Sequence, residues 1–178
     1  MKKIVLLGAA IAAIVTQSQA TIRRVNNTTG INGVYTSVYN AVVAASPGDT
    51  IHVEGSASWY SSTYISKRLV FTGPGYFLTD TAANPNTSAN KLTASLSLDF
   101  GPGSKGSVVQ GMVLTGLTIS DSFITCQRNY IVENIYFSGT TYGDTLRQNH
   151  SAYNVGLTVN SPTSVSYTHL TLPTTERV

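Results

Sequence analysis

Six short segments of the chain share one form, an apolar residue, any residue, then a second apolar residue. They are Ile51-His52-Val53, Leu69-Val70-Phe71, Leu96-Ser97-Leu98, Leu117-Thr118-Ile119, Ile135-Tyr136-Phe137 and Leu157-Thr158-Val159. Their starts, at 51, 69, 96, 117, 135 and 157, are separated by 18, 27, 21, 18 and 22 residues. Alternation of period two marks strands with one buried face. A period near twenty with no long helix between fits one turn of a coiled strand solenoid, in which a turn cannot bury its inward side chains alone but stacked turns can. The best copies, MVLTGLTIS (Met112–Ser120) and YIVENIYFS (Tyr130–Ser138), align at a constant offset of 18. Gly116 matches Asn134 there, and Gly156 precedes Leu157 in NVGLTVN. Each is expected at a corner with left-handed backbone, where a β-carbon is penalised. A β-sandwich also fits short strands at regular spacing, but gives no reason for corners to repeat in register.

Ahead of the repeats, Val34, Val38, Ala41, Val42 and Ala45 recur at helical spacing, which predicts a short amphipathic helix over about 34–45. Ser46-Pro47-Gly48-Asp49 ends it, because proline cannot continue a helix and Gly and Asp favour a tight turn. The helix is placed to cap the open apolar end of the first turn. The 27-residue interval contains TDTAANPNTSAN, residues 79–90, a polar stretch expected to bulge as a loop.

The N-terminus carries a different signal. Lys2 and Lys3 precede an apolar run from Ile4 to Val15, and Ser18 and Ala20 occupy the small-residue positions of a cleavage site. This pattern predicts a secretory signal peptide over 1–20, cut between Ala20 and Thr21, and the run is too short to span a bilayer. Charged residues make up only 11% of the chain, against 42% apolar, with 15 glycines, which suits an extracellular β-rich chain. Between Thr21 and Ser164 stand eight basic and seven acidic residues, so no basic patch points to nucleic acid. Cys126 is the single cysteine, which excludes a disulfide framework within the chain. The expected organisation is a leader over 21–33, the repeat unit over 34–164 and a distinct tail over 165–178, with no membrane span after processing.

The run SVYNAVVAASPGDTIHVEGSASW and the LTGLTIS and VENIYFS units carry a resemblance. They resemble secreted right-handed parallel β-helix proteins of the pectate-lyase-like group, over Val34 to about Asn160. That resemblance implies an all-β right-handed parallel β-helix with an N-terminal capping helix. It also implies a polysaccharide partner lying on the outward face of a parallel sheet, in an enzyme or in a non-enzymatic surface protein. The fold carries many functions, so the activity must be argued from a site.

With the apolar positions inward, His52, Val70, Ser97, Thr118, Tyr136 and Thr158 are expected to form one outward stripe. His52, Thr118, Tyr136 and Thr158 are the candidate substrate-binding residues. An exposed tyrosine ring stacks on a sugar face. A lyase needs a cation and a base on such a stripe, and a hydrolase needs two facing carboxyls. The stripe as read holds neither, so no catalytic residue is assigned. Asp49, Asp80, Asp99, Asp121 and Asp144 read as turn or strand-end residues, and Glu54 and Glu133 as surface charges. Arg128 and Lys105 are single cations able to meet an acidic sugar. His52 and His150 lack neighbours at metal-ligand spacing, so neither a metal nor a cofactor is assigned. Trp59 and Tyr60 are placed to add an aromatic contact or seal the cap, and Cys126 reads as a small buried residue.

The tail VSYTHLTLPTTERV, residues 165–178, differs from everything before it. Read back through the genetic code, Val165–Thr174 resembles the adapter ligated by transposase-based sequencing kits. The repeat unit is therefore expected to be an N-terminal fragment, truncated at its C-terminal end. Alternation alone would also let SYTHLTL pass as a strand.

Overall fold

The computed structural model describes residues 20–31, 34–56, 58–75, 95–139, 141–151, 158–159 and 165–168. In chain order its elements are β1 (Ile22–Val25), α1 (Val38–Ala44), β2 (Thr50–Val53), β3 (Thr63–Ile65), β4 (Val70–Thr72), β5 (Ser95–Phe100), β6 (Val108–Gln110) and β7 (Val113–Ile119). They continue with β8 (Thr125–Gln127), β9 (Tyr130–Ile131), β10 (Ile135–Phe137), β11 (Asp144–Arg147), β12 (His150–Ser151), β13 (Thr158–Val159) and β14 (Val165–Thr168). The chain is all-β apart from α1, and every described strand pairing is parallel.

Two sheets result. The first runs β1-β2-β4-β6-β8-β11-β14. In the second, β3 pairs β5 and β5 pairs β7; the first half of β7 then pairs β9 and its second half β10, with β12 and β13 outermost. The inward residues form columns because in-register parallel strands stack like on like. Ile51, Phe71, Val109, Cys126 and Leu146 are successive partners in the first sheet, and Ile65, Phe100, Ile119 and Phe137 in the second, all buried. Phe71 meets Phe100 edge to face at 6.0 Å, joining the sheets across the core. Burying each such side chain stabilises the fold by about 1.5–3 kcal/mol.

The helix is shorter than its apolar spacing predicts, Val38–Ala44 rather than 34–45. The residues before it are held extended, since Tyr35 N–H donates to Arg24 O and Tyr35 O accepts from Asn26 N–H, bridging to β1. Ser37 then caps the helix, its hydroxyl accepting from Asn40 N–H at 3.1 Å. Val38, Ala41 and Val42 are buried, and α1 packs against β1, β2 and β3. The stretch read as a leader, 21–33, instead contributes β1 to the first sheet.

The corners are built differently from expectation. Gly116 and Asn134 are not left-handed; Gly116 lies inside β7, where a β-carbon would come within 3.0 Å of Ser97 Oγ. The left-handed residues lie elsewhere, with Gly111, Arg128 and Gln148 leaving the first sheet and Gly106, Phe123 and Gly143 entering it. At the exit corner, Asn129 Oδ1 accepts from Met112 N–H and Asn149 Oδ1 from Asn129 N–H, both at 3.0 Å, while Asn129 Nδ2 donates to Val109 O. Both asparagines are buried. At the entry corner the same device appears on alternate turns: Asp49 accepts from Thr21 N–H, Ser107 from Leu69 N–H and Asp144 from Ile124 N–H. A side chain on each of these turns satisfies a corner amide of the turn before it, which a bend would otherwise leave unpaired.

The tail segment Val165–Thr168 pairs with β11, as its alternation permits. His169, Asp80, the loop 79–90 and Gly156 lie outside the described residues. Among the described residues no helix is long and apolar enough to cross a membrane.

Candidate functional site

The strand registers redraw the expected outward stripe. Thr118 is the partner of Tyr136, and Tyr136 of Thr158, so those three positions share one line on the second sheet. Ser97 is not on it. A register shift after Leu96 puts Ser97 opposite Gly116 and brings Asp99 opposite Thr118. Tyr64 of β3 is the partner of Asp99. His52 and Val70 belong to the other sheet and to different lines of it, His52 facing Thr72 and Val70 facing Thr50. The stripe on the second sheet therefore reads Tyr64, Asp99, Thr118, Tyr136, Thr158. It contains an acid, where the sequence reading placed none.

Its two rings are held in place while remaining open to solvent. Tyr64 is 54% exposed and Tyr136 43%. The Tyr64 ring leans along the sheet onto Gly101, over the space a β-carbon would fill. The Tyr136 hydroxyl accepts from Asn134 Nδ2 at 2.8 Å. Strands are about 4.8 Å apart, so three strand spacings of about 14 Å separate the backbones that carry the rings. Asp99 lies between them, half-buried, with no hydrogen bond or ion pair among the described residues. Burial alone pushes its carboxyl above the ordinary aspartate value. Sequence alone does not single out Tyr64 and Gly101, although the alternation Thr63-Tyr64-Ile65 is a signal for β3, and it places Asn134 at a corner without its bond to Tyr136.

The first sheet presents a different line: Arg24, His52, Thr72, Gln110, Gln127 and Arg147 are successive partners. Here the polar groups engage each other. Arg24 Nε donates to Glu54 Oε1 at 2.6 Å, Gln127 Nε2 to Gln110 Oε1 at 2.7 Å, and Arg147 to Gln127. Burial opposes ionisation of Glu54, yet Asn26 and Arg24 hold its carboxyl below the ordinary value.

The remaining candidates are local. Lys105 lies over the Phe123 ring at 4.9 Å, and Arg128 Nε donates to Gln148 Oε1 at 3.1 Å. Asp121 accepts from Gly103, Lys105 and Ser122 N–H groups, as a turn former does. Asp144 is buried, which raises its carboxyl. Tyr60 is buried and donates to Glu54 O at 2.7 Å, whereas Trp59 is exposed. His150 stacks on Tyr130. Cys126 is fully buried and its thiol is pushed up to about 12 by that burial, so it is no nucleophile. Among the described residues no three His, Cys, Asp or Glu gather to hold a metal. No family model, curated protein or solved structure matches the chain.

Proposed function

We propose that the chain is a secreted right-handed parallel β-helix protein that binds extracellular polysaccharide on the outward face of its second sheet. The β-helix reading is supported by the way the strands from β2 to β9 alternate between two parallel sheets, with β2, β4, β6 and β8 paired in succession in the first and β3, β5 and β7 in the second. The binding reading is carried by one observation: two exposed tyrosines and an aspartate with no partner among the described residues share a register-fixed line, Tyr64, Asp99, Thr118, Tyr136. Flat, spaced aromatic rings match the apolar faces of sugar units, and a carboxylate between them accepts hydroxyl hydrogen bonds.

Binding is favoured over catalysis. Asp99 stands on the stripe between Tyr64 and Thr118, and the described residues of that stripe include neither the second carboxyl that hydrolysis uses nor the cation that a lyase uses. The charge on the described stripe is negative, which favours neutral or amine-bearing glycans over uronates. Affinity electrophoresis against neutral, amine-bearing and uronate polysaccharides tests this. Retardation by the first two, weakened roughly 2–10-fold by Tyr136→Ala or Tyr64→Ala, is the expected result. Retardation unchanged in both variants would remove the stripe as the site.

A further inference from the structure

Thr21 is the residue after the expected cleavage point, and its backbone nitrogen lies 2.9 Å from Asp49 Oδ1. Asp49 is buried, with Oδ2 accepting from Ser46 N–H at 3.0 Å and Arg23 Nε at 2.9 Å. Thr21 and Ala20 are exposed, so the peptide bond between them lies at the surface. We infer that removal of residues 1–20 creates an α-ammonium at Thr21 that pairs with the buried Asp49 carboxylate, so that processing itself locks β1 onto the sheet. The inference rests on the secretion reading but not on the glycan site.

The chemistry is a hydrolysis. Under a signal-cleaving protease the Ala20–Thr21 C–N bond breaks; the water oxygen bonds to the Ala20 carbonyl carbon, which leaves as a carboxylate, and both water protons end on the Thr21 nitrogen, which becomes an ammonium. An amide N–H donor to Asp49 becomes a charged donor at the same place. Charge-assisted hydrogen bonds are roughly twice as strong as neutral ones. The site is suited to it, since Asp49 is already held ionised: the Thr21 N–H contributes most, Ser46 N–H and Arg23 add to it, and burial opposes.

The gain falls on an edge. Among the described strands β1 pairs with β2, through Ile22 to Val25, beside the single bridge from Val25 to Tyr35, and Thr21 O accepts from Thr50 N–H at 2.9 Å. While residues 1–20 are attached, the Thr21 contact to Asp49 is that of a neutral amide donor. After cleavage the edge is pinned. The charged and titratable groups around the new terminus are Asp49, Arg23, Tyr35, whose hydroxyl accepts from Arg23 Nη1 at 3.0 Å, and Arg68, which lies across Gly48.

The test uses a chain in which a protease site replaces the residues before Thr21, melted before and after cleavage leaves Thr21 first. Cleavage is expected to raise the melting temperature by about 3–6 °C at pH 6. The rise should be present below the ordinary α-amine value of about 8 and fade as pH climbs through the higher value of the paired amine. Acetylating the new terminus should erase it, as should Asp49→Asn. An equal melting temperature before and after cleavage, or a rise that survives acetylation, overturns the inference. Sequencing the secreted protein's first residue tests the secretion reading separately: a start other than Thr21 refutes the processing point, whichever way the melting experiment comes out.

Discussion

The two sheets are built by the same rule and finished differently on the outside. On the first, the outward polar groups are consumed by one another: Arg24 by Glu54, and Gln110, Gln127 and Arg147 in a chain of hydrogen bonds. On the second, Tyr64 and Tyr136 keep their rings open and Asp99 has no partner among the described residues. A self-satisfied face offers a ligand little, because each new bond costs an old one. An open face with an unpartnered carboxylate has bonding capacity to give. The core beneath both is the same stack of aliphatic and aromatic columns, so the difference lies in side chains and not in backbone.

The largest expected effect comes from breaking what the two faces share. Phe100→Ala removes the ring that meets Phe71 across the core, and should cost about 3–5 kcal/mol in urea unfolding and abolish glycan binding with it. Asn129→Ala acts on the corner between the sheets. It strips the acceptor from the buried Met112 N–H and the donor from Val109 O, and should cost about 1–3 kcal/mol for each group left unpaired. Loss of binding without loss of stability in either variant would argue that the faces are not held by a common core.

Smaller effects separate the faces. Tyr136→Ala should weaken glycan binding by about 0.5–1.5 kcal/mol with little change in unfolding. Gln127→Ala, on the other sheet, should leave binding unchanged and alter stability by about 0.5–1.5 kcal/mol, the net worth of its half-buried hydrogen bond to Gln110. Equal effects on binding would erase the distinction. Acid titration gives the last contrast. Asp49 is held below the ordinary aspartate value, so its contribution is complete above about pH 4 and is lost as pH falls through its lower folded value. Asp99 is shifted the other way, so its protonation, above about pH 4, favours the fold. Asp49→Asn should flatten the acid limb of a melting curve series, and Asp99→Asn should leave that limb in place.

The parts of this arrangement legible in the sequence were those set by alternation and by close repeats. Thr118 and Tyr136 share a line because their segments align at a constant offset of 18, and the register agrees. His52 and Val70 fall elsewhere because alternation tells inside from outside but not which of two sheets a strand joins, and Ser97 leaves the line through the register shift after Leu96, which alternation does not show. The interval of 27 residues is where the count passed from the first sheet to the second. Asp99 was read as a strand-end residue because Leu96-Ser97-Leu98 looked complete, whereas β5 runs on to Phe100. The corners were illegible for a different reason. Arg128, Gln148 and Phe123 adopt left-handed backbone although their residue types do not favour it. Neighbouring turns impose that geometry, and the Phe123 ring fits only because Gly143 has no β-carbon.

The central claim is that a glycan lies on the line Tyr64, Asp99, Thr118, Tyr136. Tyrosine-labelled NMR tests it with built-in controls, since Tyr39 on α1 and Tyr142 at a corner are exposed to a similar degree. On titration with a chitosan oligosaccharide, the Tyr64 and Tyr136 ring signals are expected to shift while those of Tyr39 and Tyr142 stay fixed. Shifts at Tyr39 or Tyr142 with Tyr64 and Tyr136 unmoved would contradict it.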